Sequence, residues 1–147
     1  MVMKEIYIEC RPETLFPYFT DPQKMVRWMG SQVLLEPKLG GSLRIDFNGR
    51  DMVAGHYVEV EPNERILFTW GWIGSDTIPP GSSTVEVLLY KQDNGTLLVL
   101  KHSGLPDPRS HKHLAGWNYY TARLKLVLLG IEPGPDTFAA PTTNEGD

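Results

Sequence analysis

Histidine and tryptophan are the residues in this chain whose side chains are best suited to chemistry or ligand contact. The 147 residues include four of each. Strand-like alternation places His56 and His102 on the sides of their segments that carry apolar residues, although a β-bulge near Gly55 would turn His56 outward. An inward histidine can move a proton or anchor a ligand, but it is more often a hydrogen-bonded core residue. Both interpretations stay open for these two residues.

The sequence offers little for nucleophilic, metal or cofactor chemistry. Cys10 has no histidine near it in sequence, and we interpret it as a small residue that fills space at a strand end. On a helix, His111 and His113 would point about 200° apart, so one ion could not bind both. We expect these two at a solvated helix start, with no metal bound. The sequence contains no phosphate loop or dinucleotide-binding motif, and no cofactor is expected.

Composition excludes several classes of protein. The formal net charge is -4, with 14 Lys plus Arg against 18 Asp plus Glu, so there is no basic surplus for nucleic acid. A hydrophobic content of 41% argues against disorder in the body of the chain. No apolar run approaches the roughly 18 residues that cross a bilayer. A single cysteine cannot form an internal disulfide. We therefore expect a cytoplasmic protein without a membrane span.

Hydrophobic periodicity predicts an α+β fold. One short strand comes first, followed by two short helices that end at Gly30. Period-two alternation over residues 31–103 predicts a meander of antiparallel strands, which brings the sheet to about six or seven strands. A helix of about twenty residues then ends at Gly130. We expect one domain over residues 1–131, and residues 132–147, with three prolines and no lysine or arginine, are predicted to be a disordered acidic tail.

A curved sheet that wraps around one long helix tends to leave a space between the two, and binding sites favour such concave apolar places. Aromatic residues and the two inward histidines could line this space, or they could simply fill the core, because alternation does not distinguish a pocket wall from a packed interior. The predicted ligand-pocket residues are Trp28, Phe47, His56, Phe68, Trp70, Trp72, Leu100, His102, Trp117, Tyr120, Thr121 and Leu124.

Several segments of the chain resemble the START-like (SRPBCC) superfamily, in particular the branch named after the C-terminal domain of the activator of heat-shock protein 90 ATPase. They are TDP at 20–22, RWMG at 27–30, PKLGG at 37–41, AGHYVEVEP at 54–62, RILFTW at 65–70, GTLLVLKHSGL at 95–105 and GW at 116–117. Together they extend the resemblance over about residues 3–130. The resemblance implies a helix-grip fold, with a pocket between the sheet and the long C-terminal helix.

Three functional hypotheses follow from the residues and the resemblance. The favoured one is a protein that binds a small hydrophobic or aromatic molecule, lipids included, without turnover. The second is an enzyme of the cyclase or dehydratase type, in which a pocket histidine moves a proton. The third is a co-chaperone or stress-response protein that stimulates a chaperone's ATPase, with the chaperone as its partner. Both a monomer and a homodimer are compatible with the sequence, since an exposed strand edge can pair with another chain.

Overall fold

Seven strands form a single antiparallel sheet in this computed structural model, which describes residues 1–139. They are β1 (Val2–Ile8), β2 (Gln32–Leu35), β3 (Ser42–Asp46), β4 (Met52–Glu61), β5 (Arg65–Trp70), β6 (Ser83–Gln92) and β7 (Gly95–Ser103). Their order across the sheet is β1-β7-β6-β5-β4-β3-β2. Consecutive strands from β2 to β7 are therefore neighbours in space, as a meander requires. The predicted α+β fold is confirmed, with seven strands.

Short helices connect β1 to the meander. They are α1 (Pro12–Leu15) and α2 (Pro22–Met25), and a 3-10 turn over Phe16–Phe19 separates them. Asp21 caps α2 as the sequence predicts, because its carboxylate accepts a hydrogen bond of 2.9 Å from the backbone N–H of Gln23. The long helix α3 (Asp107–Leu128) has 22 residues and follows β7. None of the helices within residues 1–139 is both long enough and apolar enough to cross a membrane.

The core lies between the concave face of the sheet, α3 and the short helices. Its largest fully buried side chains include Trp28, Tyr57 and Phe68. The Tyr57 hydroxyl donates a hydrogen bond of 3.0 Å to the carbonyl oxygen of Phe19 and so ties β4 to the 3-10 turn. Burial of this phenol strongly raises its pKa. The Trp28 indole N–H likewise donates to the carbonyl oxygen of Tyr18, at 3.0 Å.

His56 does not point into the core, which corrects the orientation predicted from alternation. In β4, Val53 and Tyr57 are buried and His56 is exposed. The pairing of β4 with β5 shifts register between Tyr57 and Glu59. This bulge changes which positions of the strand face the core. Before it the odd-numbered Val53 and Tyr57 face inward, and after it the even-numbered Val60 packs against the core. Alternation extended backwards from Val60 therefore gives the wrong face for His56.

Residues 136–139 depart from the predicted disorder of the segment after residue 131. The Tyr120 hydroxyl donates a hydrogen bond of 2.6 Å to the Asp136 carboxylate, and the Phe138 ring stacks on Tyr119 at a centroid distance of 5.4 Å. Helix α3 thus supplies two aromatic partners that hold this part of the chain. The rest of the predicted tail, residues 140–147, lies outside the described residues, and its disorder stays a prediction.

Candidate functional site

A cavity of about 260 Å³ lies between α3, the end of β5, the β3–β4 connection and the loop that joins β5 to β6. Most of its lining is apolar, and aromatic rings form much of the wall. The lining residues are Met29, Phe47, Arg50, Asp51, Met52, Trp70, Trp72, Ile73, Gly74, Ser75, Thr77, Ile78, Lys112, His113, Gly116, Trp117, Tyr120, Phe138 and Ala139. We call the exposed part of this lining the mouth; it consists of Arg50, Ile73, Gly74, Thr77, Lys112 and Phe138.

The 71–82 loop, which joins β5 to β6, forms one side of the cavity. Its start is fastened to β4, because Ala54 donates its backbone N–H to the Gly71 carbonyl and Ile73 donates to the Met52 carbonyl, both at 2.9 Å. Gly71 is required by close packing, since a Cβ atom at this position would overlap the Pro79 carbonyl oxygen. Ile78, almost fully buried, anchors the far side of the loop. These contacts fix the position of the loop, which forms one wall of the cavity.

Aromatic rings pack against each other along the wall. The Trp70 ring centroid lies 5.2 Å from that of Trp117 on α3 and 6.0 Å from that of Trp72 on the loop. Phe47 lies between Trp72 of the loop and Tyr120 of α3, with a centroid distance of 5.5 Å to each ring. Contacts of this kind fix ring positions and leave flat apolar surfaces facing the space between them. Such surfaces suit a flat or aromatic ligand.

A chain of buried hydrogen bonds lies behind this wall and is centred on His102. The Trp117 indole N–H donates to Nδ1 of His102 at 3.0 Å, and Ser83 Oγ lies 2.9 Å from Nε2. An indole nitrogen is only a donor, so Nδ1 must be the unprotonated nitrogen and Nε2 carries the hydrogen of the neutral ring. Nε2 therefore donates to Ser83, whose hydroxyl donates in turn to the Trp70 carbonyl at 2.8 Å. Both ring nitrogens are occupied.

Burial keeps His102 neutral. The residue is fully buried, and desolvation together with the nearby His113 lowers its pKa to about 3. At neutral pH the ring is an uncharged connector between α3, β7 and β6. A proton shuttle needs a pKa near the working pH and access to substrate, and His102 has neither. In this structure His102 is a hydrogen-bonded core residue, which is one of the two interpretations that the sequence left open.

His113 forms a second tryptophan–histidine pair, and this one lies in the cavity wall. The Trp72 indole N–H donates to Nε2 of His113 at 3.1 Å, which links the 71–82 loop to α3. The rings of His102 and His113 meet edge to face with a centroid distance of 5.3 Å. His113 is half-buried. The expectation of a solvated histidine at a helix start is wrong here, because the loop folds over this turn of α3.

The 136–139 segment supplies another part of the cavity wall, through Phe138 and Ala139. Asp136 accepts three hydrogen bonds: one from the Tyr120 hydroxyl at 2.6 Å and two from the backbone N–H groups of Phe138 and Ala139 at 2.8 and 3.1 Å. The Asn48 amide donates to the Ala139 carbonyl at 3.0 Å, which ties the segment to the β3–β4 connection. Burial, followed by the bonded carboxylate, strongly raises the pKa of Tyr120. Tyr120 is therefore a protonated donor that holds this wall.

The predicted pocket residues fall into three groups. Five of them line the cavity: Phe47, Trp70, Trp72, Trp117 and Tyr120. Six are buried but do not line it, namely Trp28, Phe68, Leu100, His102, Thr121 and Leu124. His56 is on the outer face, where its Nδ1 lies 3.3 Å from Thr69 Oγ1. Whether the five that line the cavity contact a ligand stays a prediction.

Sequence reasoning missed the walls supplied by irregular segments. The 71–82 loop, Lys112 and His113 at the start of α3, and Phe138 and Ala139 all line the cavity. One signal was available: Phe138 is an isolated aromatic residue within a stretch rich in proline. Trp70 adds a polar feature that no pattern shows, because its indole nitrogen is buried without a hydrogen-bond partner among the described residues. No cluster of three or more potential metal ligands occurs among the side chains of residues 1–106 and 110–139.

Comparison with known proteins assigns the chain to a family. The family model described as activator of Hsp90 ATPase homolog 1-like protein matches residues 9–128. The chain belongs to this family. That result confirms the resemblance to the START-like superfamily read from the sequence motifs. No curated protein matches the chain in sequence.

Three solved structures illustrate the family fold. An AHSA1-like protein from Rhizobium etli is 37% identical, covering 99% of this chain and 92% of its own, with a TM-score of 0.70. DynU16, a protein of the dynemicin biosynthetic locus, is 25% identical with a TM-score of 0.77, covering 89% of this chain. This chain spans 48% of the length of DynU16. The Aha1 dimer from Colwellia psychrerythraea shares the fold at 18% identity and a TM-score of 0.75, covering 92% of this chain and 98% of its own.

Proposed function

We propose that this family member binds a small aromatic or otherwise flat hydrophobic molecule in the cavity between the sheet and α3. The observation that carries the proposal is the wall itself, in which aromatic rings from β5, the 71–82 loop, α3 and the 136–139 segment surround a space of about 260 Å³. Ligand pockets typically enclose about 300–1,000 Å³. A volume slightly below that range favours a compact ligand over a long-chain lipid or a sterol.

The neutral, fully hydrogen-bonded ring of His102 favours binding without turnover over catalysis. A cyclase or dehydratase would need a group that gains and loses a proton beside the substrate. His102 is held neutral behind the wall with both nitrogens bonded. His113, which lies in the wall, has its Nε2 bonded to Trp72. Conversion of any bound compound would instead support the enzyme alternative, with His113 as the first residue to test.

The co-chaperone alternative would work through the surface of the protein. It draws support from the family description alone. It predicts that the protein alters the rate of ATP hydrolysis by a chaperone of the Hsp90 class. An unchanged rate under conditions where a known activator works would contradict it. We place the protein in the cytoplasm in this proposal, because its single cysteine leaves no internal disulfide for an oxidising compartment.

Intrinsic tryptophan fluorescence provides the test of ligand binding. Trp70, Trp72 and Trp117 line the cavity, and Trp28 is a buried reference away from it. Titration with aromatic acids, flavonoids, fatty acids and sterols should give saturable changes with aromatic compounds. No saturable change across the panel, with the protein verified as folded, would contradict the proposal.

A variant that fills the cavity makes this test specific. Gly116 lies on α3 in the cavity wall, and a Cβ at this position would contact the Phe138 ring at 3.5 Å, so the side chain in Gly116→Leu would occupy the space beside that ring. We expect this variant to stay folded, because leucine favours helix more than glycine does, and to lose binding. Ala122→Leu is the matched control, since Ala122 is exposed on the same helix and does not line the cavity. Equal binding by both variants would place the ligand outside the cavity.

A further inference from the structure

The charges that line the cavity differ in sign from the charge of the whole chain. The chain carries a formal charge of -4. The charged side chains of the lining are Arg50 and Lys112, which are cationic, and Asp51, which is anionic. Both cations are exposed and belong to the mouth, one on the β3–β4 connection and one on α3. A ligand that enters between these elements therefore passes two positive groups.

The carboxylate in the lining is partly engaged by its own neighbours. Oδ2 of Asp51 accepts a hydrogen bond of 2.8 Å from the Asn48 amide, and Oδ1 lies 4.0 Å from Nε of Arg50. That ion pair is long and about half exposed, so it neutralises Arg50 only weakly. Lys112 makes no ion pair with the side chains that the structure describes, those of residues 1–106 and 110–139. Its ammonium group is the least compensated charge of the mouth.

Three further carboxylates lie close in sequence to lining residues. The first, Asp46, is outside the lining and accepts a hydrogen bond of 2.7 Å from the backbone N–H of Gly49. Asp76 is exposed in the 71–82 loop, but it does not form part of the lining. Asp136 is also outside the lining, and its charge is offset by hydrogen bonds from Tyr120 and two backbone N–H groups. The groups that a ligand inside the cavity would contact therefore have a positive balance.

We propose that the cavity selects small aromatic ligands that carry one anionic group, such as a carboxylate. The ring would lie between the aromatic walls, and the anion would lie at the mouth beside Lys112 and Arg50. This inference rests on the proposed ligand-binding function and specifies its ligand class. An anionic group gains attraction from two cations at little cost in desolvation, because the mouth is open to water. A cationic group at the same place meets two like charges.

Three probes of nearly equal shape test this selection by isothermal titration calorimetry near neutral pH. They are naphthoate, naphthalenemethanol and naphthylmethylammonium, which are anionic, neutral and cationic. We expect affinity to decrease in that order, with about a tenfold preference for naphthoate over the neutral probe when both cations contribute. Raising the salt concentration should reduce this preference, because salt screens exposed charges, and should leave the affinity for the neutral probe nearly unchanged.

Charge-removing variants locate the preference at the mouth. Lys112→Gln should weaken naphthoate binding by about three- to fivefold and leave naphthalenemethanol binding unchanged. Lys38→Gln, which removes the same charge from an exposed turn outside the lining, should behave like the parent protein. Equal affinity for naphthoate and naphthalenemethanol, or equal effects of the two lysine variants, would overturn the inference while leaving ligand binding intact. Failure of all three probes to bind would count against the proposed function as well.

Discussion

Acid should destabilise the folded protein through His102. Its pKa is about 3 in the folded chain, against an ordinary value of 6.5. Between these two pH values the unfolded chain binds a proton that the folded chain does not. Folding stability therefore falls as the pH decreases, by up to about 1.4 kcal/mol per pH unit. The loss relative to neutral pH amounts to about 2 kcal/mol near pH ~5 and about 4 kcal/mol near pH ~3.

Urea denaturation of the parent protein and of His102→Asn over a series of pH values measures this contribution. Asparagine does not titrate, and its Oδ1 can accept the Trp117 N–H in place of Nδ1. The variant still loses the donor to Ser83, so at neutral pH it should be less stable by about 1–2 kcal/mol. Because only the parent protein loses stability through this residue in acid, the two free energies of unfolding should become equal near pH ~5.

His111→Asn is the matched control, because His111 is an exposed histidine on α3. Its replacement removes no buried contact, so the free energy of unfolding should stay close to that of the parent protein. Parallel curves for the parent and His102→Asn between about pH 7 and pH 4 would refute the reasoning, since they would mean that His102 binds its proton equally in both states. Nitrogen chemical shifts of the imidazole give an independent check, and a protonated Nδ1 in the folded state would contradict the assigned tautomer.

Three further changes follow from the same structure. Gly71→Ala should lower stability and weaken ligand binding together, because its Cβ would push Pro79 and the 71–82 loop away from β4. Ser82→Ala, at an exposed position of the same loop outside the lining, is the comparison for ligand binding by calorimetry. Trp117→Phe should lower the free energy of unfolding in chemical denaturation by about 1–3 kcal/mol, because Nδ1 of His102 loses its donor while an aromatic ring stays in the wall. An unchanged free energy of unfolding would contradict the buried hydrogen-bond network. Tyr120→Phe should lower the free energy of unfolding by about 1–2 kcal/mol and make protease cleavage within residues 136–139 faster. Tyr7→Phe is the control, because the Tyr7 hydroxyl makes a long, exposed hydrogen bond. Equal cleavage rates in the two variants would contradict the anchoring role of Asp136.

Much of the architecture could be predicted from local patterns. The change of hydrophobic period from two to 3.6 near Gly104 separates the sheet from α3, and the residues Asp21 and Pro22 mark the start of α2. Trp117 falls on the buried stripe of the long helix and is buried in the structure. These features depend on residues that are neighbours in sequence, where propensity and periodicity act directly.

The cavity depended on features with no local signature. The bulge between Tyr57 and Glu59 reverses the face on which His56 lies, and a single extra residue leaves no mark in an alternating pattern. His113 becomes half-buried because Trp72, 41 residues earlier, donates to it from a loop. Phe138 joins the wall because Tyr119 and Tyr120 on α3 offer it a ring surface.

The amino-acid sequence by itself determined the fold, its family and the supply of aromatic side chains, because each is encoded in spacing along the chain. Only the tertiary structure decided which of those side chains face a cavity and which fill the core. Trp28 and Trp70 are both buried tryptophans, yet only Trp70 lines the space. A cavity is the volume that packing leaves unfilled, and this volume depends on how distant segments meet.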